Sequence, residues 1–172
     1  MFPIVPERST DAAQIENLLD ITFGSERTKK TVYRLREGVA HVKSLAFVVR
    51  DPEGRVLGSI RYWPVTIGEQ TAAVMLGPVA VHPDYQGQGI GRALIRHSLY
   101  AATRQGHRIC ILVGDKPYYE PFGFSNAADR GLEMPGWVER ERFQVMELAP
   151  GALTDVRGMV GKAKAGRRSR AA

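Results

Sequence analysis

The stretch that most constrains the fold of this 172-residue chain covers residues 76–94 and reads LGPVAVHPDYQGQGIGRAL. A short apolar run leads into three glycines at alternate positions, Gly87, Gly89 and Gly91, and an amphipathic segment follows at once. Glycine permits positive φ and close approach of a ligand, and the first turn of a helix presents unpaired N–H groups. The order strand, glycine loop and helix therefore predicts a site for a phosphate or pyrophosphate group.

Two common phosphate-binding patterns do not match this stretch. No Gly-Lys-Ser/Thr sequence occurs here, which excludes a P-loop. The dinucleotide pattern G-x-G-x-x-G fails because Arg92 occupies the third glycine position, and the residue about twenty positions further on is not acidic. A plain glycine turn before a surface helix remains the alternative for the three glycines alone.

The segment Gln86 to Gly91 resembles the acetyl-CoA loop of the GNAT superfamily of N-acetyltransferases, whose pattern is Gln/Arg-x-x-Gly-x-Gly/Ala. The flanking segments are similar to the family in the same order: VAVHP at 79–83, RALI at 92–95 and YYEPFGF at 118–124. The resemblance covers residues 1–150 and implies one α+β domain there. It implies a twisted, mostly antiparallel sheet of about six or seven strands, splayed between strands at 71–81 and 108–114 and flanked by about four helices.

The sequence predicts an opening in this sheet independently of the family. Segments 45–50 and 55–62 are predicted to form a hairpin, and Gly77-Pro78 interrupts the next predicted strand, 71–81. Proline cannot donate to a sheet ladder, so within a strand it indicates a bulge. A bend there would leave the backbone groups of residues 79–81 without strand partners on one side. A purely structural bulge is the alternative.

The resemblance implies acetyl-CoA as the cofactor and places the pantetheine arm in this opening. It implies contacts from backbone groups of Val79, Ala80, Val81, Gln86, Gly87, Gln88, Gly89, Ile90 and Gly91, and from the side chain of Arg92 on a phosphate. A solvent-facing arginine is the alternative for Arg92. No metal site is predicted.

The resemblance also implies a catalytic acid. In the family pattern a tyrosine stands four residues before the glycine of a Gly-Phe pair, and Tyr119 stands four before Gly123. A phenol with a pKa near about 10 is protonated at neutral pH and can pass its proton to a departing thiolate. Tyr118 is adjacent but out of register, and simple packing of both tyrosines is the alternative.

The general base is left open by the sequence. The predicted strand 71–81 contains no acidic residue, and Glu26, Asp115 and Glu120 are candidates by position only. A chain of water molecules is an equal alternative, and His82 is interpreted as a strand-end residue rather than a base.

Two helices are predicted before the hairpin. The first follows Ser9 to Asp11, and the second covers residues 26–37, with Val32 and Leu35 facing inward. Four cations of the second helix are predicted to face water, namely Lys29, Lys30, Arg34 and Arg36. A further helix is predicted from Ile90 to Gln105. The resemblance implies an acceptor pocket lined by the first two helices, their connection and the last strands.

The net charge of +6 is concentrated at the end of the chain. Without Lys162, Lys164, Arg167, Arg168 and Arg170, the chain has 19 basic and 18 acidic residues. Residues 151–172 are therefore predicted to be a basic C-terminal extension, flexible from residue 161. A solubilising role is favoured over contact with nucleic acid, which we do not expect as a partner.

The remaining features favour a cytoplasmic enzyme. Cys110 is the one cysteine, so an internal disulfide is excluded and a reducing compartment is favoured. No apolar stretch reaches the length of a membrane span.

The hypothesis for the function is an acetyl-CoA-dependent N-acetyltransferase similar to a widespread bacterial branch, acting on a primary amine of a small molecule or protein. A non-catalytic acyl-CoA-binding sensor is the alternative; the acceptor and the oligomeric state, a homodimer included, stay open.

Overall fold

A long hairpin forms the middle of the sheet. The first four strands of the computed structural model, which describes residues 2–164, are β1 (Ile4–Pro6), β2 (Phe47–Arg50), β3 (Val56–Ile67) and β4 (Thr71–Val81). Strands β3 and β4 form this hairpin and pair antiparallel along most of their length. The chain reaches it through β1 and β2, which also pair antiparallel. The hairpin predicted from segments 45–50 and 55–62 is β2–β3, and it is confirmed.

The second half of the sheet follows β4. Its strands are β5 (Ile109–Val113), β6 (Ser125–Asn126), β7 (Leu132–Glu133), β8 (Phe143–Glu147) and β9 (Gly158–Lys162). Within residues 2–164 the main path runs β1-β2-β3-β4-β5-β8-β6, and β4–β5 is the parallel pair along it. This is the mixed, mostly antiparallel sheet that the family resemblance implies, so the predicted fold class is confirmed.

Four α-helices flank the sheet within the described range. They are α1 (Ala12–Phe23), α2 (Thr31–Arg36), α3 (Ile90–Arg104) and α4 (Lys116–Tyr119). The predicted continuous helix over 26–37 is wrong, because Ser25–Lys29 forms a separate 3-10 turn and Lys30 is extended. The Arg27 side chain holds this turn against α1 through Glu16 at 2.6 Å. Among residues 2–164 no helix is both long enough and apolar enough to cross a bilayer.

Alternating residues of the central strands supply two cores, one on each face of the sheet. Val74 and Leu76 pack with α3 on one face, whereas Met75 between them packs on the other. On β5 the alternation repeats, with Cys110 on the α3 face and Ile111 opposite. The buried side of α3 consists of Ile90, Leu94, Ile95, Leu99 and Ala102. This packing anchors the first turn of α3 against the sheet.

The segment after residue 150 belongs to the sheet, which corrects its prediction as an extension. Strand β9 pairs antiparallel with the second half of β3, and β7 pairs parallel with β9. Val160 is fully buried, and Ala152 and Leu153 are buried in the same core. The glycine-rich sequence of β9 has weak strand propensity, but the free edge of β3 supplies partners for its backbone. Residues 165–172, which hold much of the predicted basic tail, lie outside the described residues.

Candidate active site

The sheet opens between β4 and β5, as predicted. The two strands pair at Val74 with Cys110 and at Met75 with Ile111, and no further pair follows among the described residues. Strand β5 nevertheless continues to pair with β8 on its other edge as far as Val113. A cleft therefore separates the carboxyl-terminal halves of β4 and β5.

The cleft begins at the predicted bulge. Opposite Arg61 of β3, strand β4 contributes two residues, Gly77 and Pro78, and the register shifts there. The indole N–H of Trp63 donates to the carbonyl oxygen of Gly77 at 2.9 Å and holds the bulge in place. The extra residue bends β4 away from β5, which is the usual effect of a bulge.

Beyond the bulge, only alternate residues of β4 direct their backbone groups into the cleft. The N–H of His82 donates to the carbonyl of Leu57 in β3 at 2.8 Å. Because antiparallel partners alternate, Ala80 is also bonded to β3, whereas the backbone groups of Val79 and Val81 face the cleft. The register leaves no free backbone group on Ala80 for a cofactor, contrary to its prediction, and contact through Val79 and Val81 stays a prediction.

The glycine loop turns sharply from β4 into α3. Gly87 and Gly89 have φ values of +78° and +86°, in the left-handed region that favours glycine. A Cβ built on either residue would meet no atom within 4 Å, so the space beside both is open. The side-chain amide of Gln86 donates to the carbonyl of Val81 at 3.0 Å and holds the loop against the end of β4.

Unpaired N–H groups line this loop. The first hydrogen bond of α3 runs from Ala93 to the carbonyl of Gly89 at 3.0 Å. Among the described residues, no backbone oxygen accepts a hydrogen bond from the N–H groups of residues 87–92. Together with the positive end of the helix dipole, such groups form an anion-binding site. The predicted loop residues, Gln88 and Ile90 included, therefore lie together at one helix N-terminus.

The third glycine has a different neighbour. A Cβ on Gly91 would lie 2.8 Å from the hydroxyl oxygen of Tyr118, so this glycine makes room for a tyrosine of α4. The guanidinium of Arg92 lies 5.9 Å from the centre of the same ring. Burial raises the pKa of Tyr118, and the charge of Arg92 opposes this shift. Arg92 therefore lies on the side of α3 that faces α4.

Tyr119 is held by its own short helix and by a glycine. Its backbone N–H donates to the carbonyl of Asp115 at 3.1 Å. The ring packs on Gly114 so closely that a Cβ there would lie 2.4 Å from ring carbon Cε2. The rings of Tyr118 and Phe124 approach the Tyr119 ring edge-on, at 5.0 and 6.0 Å between centres. The Tyr119 side chain therefore has one well-defined position.

The surroundings keep the phenol of Tyr119 protonated. Burial raises its pKa well above the usual value of 10, and the neighbouring Tyr118 and Asp115 act in the same direction. The positive charge of Arg142 opposes the shift without reversing it. At neutral pH Tyr119 is therefore a proton donor and not a phenolate.

A cavity of about 760 Å³ lies beside the cleft. Val79 of β4 and Tyr119 of α4 line one part of it, and Tyr33 and Arg36 of α2 line another. This volume lies within the range of small-molecule sites. The contribution of α2 agrees with the acceptor pocket that the resemblance implies.

One wall of the cavity comes from residues 137–142, a segment for which the sequence predicted no role. Thr31 at the start of α2 donates to the carbonyl of Trp137 at 2.8 Å. A Cβ on Gly136 would lie 2.9 Å from the hydroxyl oxygen of Thr31, so the small residue permits this contact. Trp137 and Arg142 consequently line the cavity. No periodicity in residues 133–141 indicated this position.

The prediction that Arg36 faces water is wrong. The residue is only 9% exposed, whereas Arg34 on the same helix is exposed. The Arg36 guanidinium lies over the rings of Tyr33 and Trp63, at 4.7 and 5.6 Å from their centres. These aromatic faces stabilise a cation away from solvent, which helical periodicity alone could not indicate.

Only some of the candidate general bases line the cavity. Asp115 lines the cavity and forms an ion pair with Arg142, and Glu139 also lines it. Glu26 forms an exposed pair with Lys29, and neither Glu26 nor Glu120 is part of the lining. The imidazole of His82 accepts from the N–H of Asp84 at 3.2 Å and caps a short turn, in agreement with its interpretation as a strand-end residue.

Known proteins are similar in sequence to this chain over most of its length. Residues 43–126 match the family model described as acetyltransferase (GNAT) domain. The N-acetyltransferase YhbS of Escherichia coli K12, itself uncharacterised, is 36% identical over 151 residues, which cover 87% of this chain and 89% of YhbS. A second uncharacterised N-acetyltransferase of the same strain, YjhQ, is 32% identical over 136 residues, which cover 77% of this chain and 75% of YjhQ.

Solved structures share the architecture. The crystal structure of Escherichia coli YhbS in complex with CoA superimposes with a TM-score of 0.81 at 33% identity, covering 94% of this chain and 89% of that one. A GNAT acetyltransferase from Brucella melitensis in complex with acetyl-CoA gives a TM-score of 0.70 at 32% identity, covering 95% and 96%. The chain therefore belongs to the GNAT superfamily of N-acetyltransferases.

Proposed function

We propose that this acetyltransferase moves an acetyl group from acetyl-CoA directly to a primary amine of a small molecule or protein, with acetyl-CoA lying in the cleft between β4 and β5. One observation carries the proposal: Tyr119 lines the same cavity as Val79, whose backbone faces that cleft. The complexes of the similar proteins with CoA and acetyl-CoA support the choice of cofactor.

The cleft and the glycine loop bind different parts of acetyl-CoA. The carbonyl of Val79 and the N–H of Val81 pair with the amides of the pantetheine arm as an added strand would, since the Val81 carbonyl already accepts from Gln86. The N–H groups of residues 87–91 bind the pyrophosphate, where Gly87 and Gly89 leave space for it. Arg92 adds a positive charge beside this group.

The transfer needs no covalent enzyme intermediate. The neutral amine nitrogen attacks the thioester carbonyl carbon, and the N–H of Val79 stabilises the oxygen as it becomes negative. The C–N bond forms, the C–S bond breaks, and the departing sulfur takes the hydroxyl proton of Tyr119. The tyrosinate regains a proton from solvent, and the nitrogen loses its extra proton to water or to a cavity carboxylate, Asp115 or Glu139.

Calorimetric titration of acetyl-CoA tests the binding part of this proposal. We expect saturable binding by the native chain and at least about tenfold weaker binding by Gly89→Ala, whose methyl group enters the phosphate space and strains the loop. Gly54→Ala is the matched control, because Gly54 also has φ +86° and open space but lies in the β2–β3 turn. Absence of binding by the native chain, or equal losses in both variants, would refute the proposed loop.

Turnover distinguishes an enzyme from a sensor. Release of CoA thiol in the presence of an amine panel is expected for the transferase. A chain that binds acetyl-CoA but acetylates no amine would instead be a non-catalytic acyl-CoA-binding protein.

A further inference from the structure

The cavity wall contains a buried cation without a counter-ion. Arg36 is 9% exposed and lines the cavity beside the proposed acetyl site. It forms no ion pair among residues 2–164, and its Nε atom has no hydrogen-bond partner there. A buried guanidinium normally has a carboxylate or several acceptors, because desolvation of an unpaired charge is costly.

Two neighbouring arginines, Arg27 and Arg61, have the carboxylate partners that Arg36 lacks. Arg27 is paired with Glu16 at 2.6 Å and with Asp20 at 3.1 Å. Arg61 forms a two-pronged contact with Glu7, at 2.7 and 3.0 Å. The local carboxylates are thus committed to Arg27 and Arg61, and Arg36 is left facing the cavity.

Arg36 remains charged at neutral pH in spite of this environment. Burial lowers the pKa of Arg36 to about 10, the contact with the side chain of Tyr33 opposes this shift, and the positive charges of Arg27 and Arg61 add to it. The aromatic faces of Tyr33 and Trp63 compensate only part of the lost hydration. The site therefore presents a permanent cation that an anionic ligand would stabilise.

Arg36 lies close enough to the β4 bulge to bring a bound anion next to the proposed site of acetyl transfer. A Cβ on Gly77 would lie 3.3 Å from Nη2 of Arg36, so the guanidinium reaches the β4 bulge where the cleft begins. Tyr119 lines the same cavity. A small ligand that binds Arg36 through an anionic group therefore has its other end within the cavity that the catalytic phenol faces.

We propose that the acceptor is a small amine that also carries a carboxylate, and that Arg36 binds the carboxylate. This inference rests on the proposed acetyltransferase function and assigns the class of its acceptor. A carboxylate is planar and matches the paired N–H groups of a guanidinium edge. Purely cationic acceptors are disfavoured, since among residues 2–164 six cations line the cavity against two carboxylates, Asp115 and Glu139. These cations further favour the neutral, nucleophilic form of the amine.

Matched pairs of amines test the inference with the full chain and acetyl-CoA. Phenylalanine is compared with phenethylamine, leucine with isopentylamine, and lysine with cadaverine, by the rate of CoA release. O-phosphoethanolamine and ethanolamine form a further pair, which separates a carboxylate requirement from a general anion requirement. We expect the carboxylate member to have a kcat/KM about 10- to 100-fold higher, as for a charge-assisted pair of hydrogen bonds.

Three arginine variants test whether Arg36 causes the preference. Arg36→Met removes the buried cation but keeps an apolar stem, and it should abolish the preference for carboxylates through a higher KM, with acetyl-CoA affinity unchanged. Arg104→Met is the control, because it removes one exposed arginine, at the end of α3, that does not line the cavity. Arg36→Lys should restore only part of the preference, since an ammonium lacks the planar pair of donors. Thermal unfolding is measured for each variant, and Arg36→Met should be at least as stable as the native chain.

Several outcomes would overturn the assignment. These are equal or faster turnover of the carboxylate-free amines, a preference for the phosphate pair alone, a preference that survives in folded Arg36→Met, and an equal loss in Arg104→Met. Binding of acetyl-CoA without acetylation of any amine in the panel would also refute it, because the inference commits to small acceptors. Failure of the native chain to bind acetyl-CoA would refute the proposed function itself.

Discussion

Tyr118 and Tyr119 are adjacent and both line the cavity, but their side chains have different neighbours. The Tyr118 hydroxyl lies beside Gly91 at the start of α3, whereas the Tyr119 ring packs on Gly114. We expect Tyr119→Phe to lower kcat by about 10²- to 10³-fold, as for loss of a general acid, with acetyl-CoA affinity unchanged. Steady-state kinetics and calorimetry measure the two effects.

Tyr118→Phe is the control for this comparison. It removes an equivalent hydroxyl from the same short helix and should leave kcat nearly unchanged. A larger loss of kcat in Tyr118→Phe than in Tyr119→Phe would show that Tyr118, and not Tyr119, is the general acid.

Gly114 determines the position of the Tyr119 ring. An alanine Cβ at residue 114 would lie 2.4 Å from the ring, so the tyrosine has to move. We expect Gly114→Ala to lower kcat by about 100-fold, a loss typical of a misplaced catalytic group. In the Tyr119→Phe background the same change should have little further effect on kcat, because both changes act through one hydroxyl. Additive losses in the double variant would show that Gly114 acts independently of Tyr119.

Strand β9 closes part of the core, although its sequence predicted no strand. Val160 is fully buried between β3 and the segment that includes Leu153, and its neighbour Met159 is 46% exposed. We expect Val160→Ala to lower the free energy of unfolding by about 1.5–3 kcal/mol through lost burial and a cavity. Denaturant unfolding measures this change.

Met159→Ala is the matched control on the same strand. Because its side chain is largely exposed, the free energy of unfolding should change by less than about 0.5 kcal/mol. Equal effects of the two substitutions would contradict the register of β9 against β3.

For the molecule as a whole, Asp11 joins the start of α1 to the end of β2. Its carboxylate accepts from the N–H of Arg8 at 2.7 Å and pairs with Arg50. Burial raises the pKa of Asp11, but the hydrogen bonds from Arg50 and Arg8 outweigh burial and leave it below the usual 3.8. The ionised form therefore stabilises the folded chain, and this stabilisation is lost as the pH falls through the lowered pKa.

Substitution of Asp11 tests this contribution. At neutral pH, Asp11→Asn should lower the free energy of unfolding by about 1–3 kcal/mol, and the difference from the native chain should shrink below about pH 4. Urea unfolding across this pH range measures both values. Glu53→Gln, in the exposed β2–β3 turn, should show no such difference, and a gap for Asp11→Asn that persisted at low pH would contradict the role of its charge.

Whole-molecule topology also explains how distant segments form one site. The β4 bulge opens the sheet, α3 places the glycine loop at one end of the opening, and α4 places Tyr119 at its wall. The helix α2 and the segment 137–142 then line the cavity that is proposed to bind the acceptor. The proposed acyl donor and acceptor thus approach one another from opposite sides of the split sheet.

Features that depend on residues close in sequence were predictable. Positive φ at Gly87 and Gly89, the bulge at Gly77-Pro78 and the four-residue spacing from Tyr119 to Gly123 follow from local backbone geometry and a family pattern. The order and type of the central strands followed similarly, because apolar runs and turn residues are short-range signals.

Other features required contacts between segments far apart in the chain. Arg36 is buried because Trp63 of β3 supplies an aromatic face, and Ala80 turns away from the cleft because of its register with β3. The strand β9 forms because an edge of β3 is free, and Trp137 reaches the cavity through Thr31. Local sequence sets which backbone conformations are accessible, but burial, register and charge pairing depend on neighbours that only the folded chain brings together.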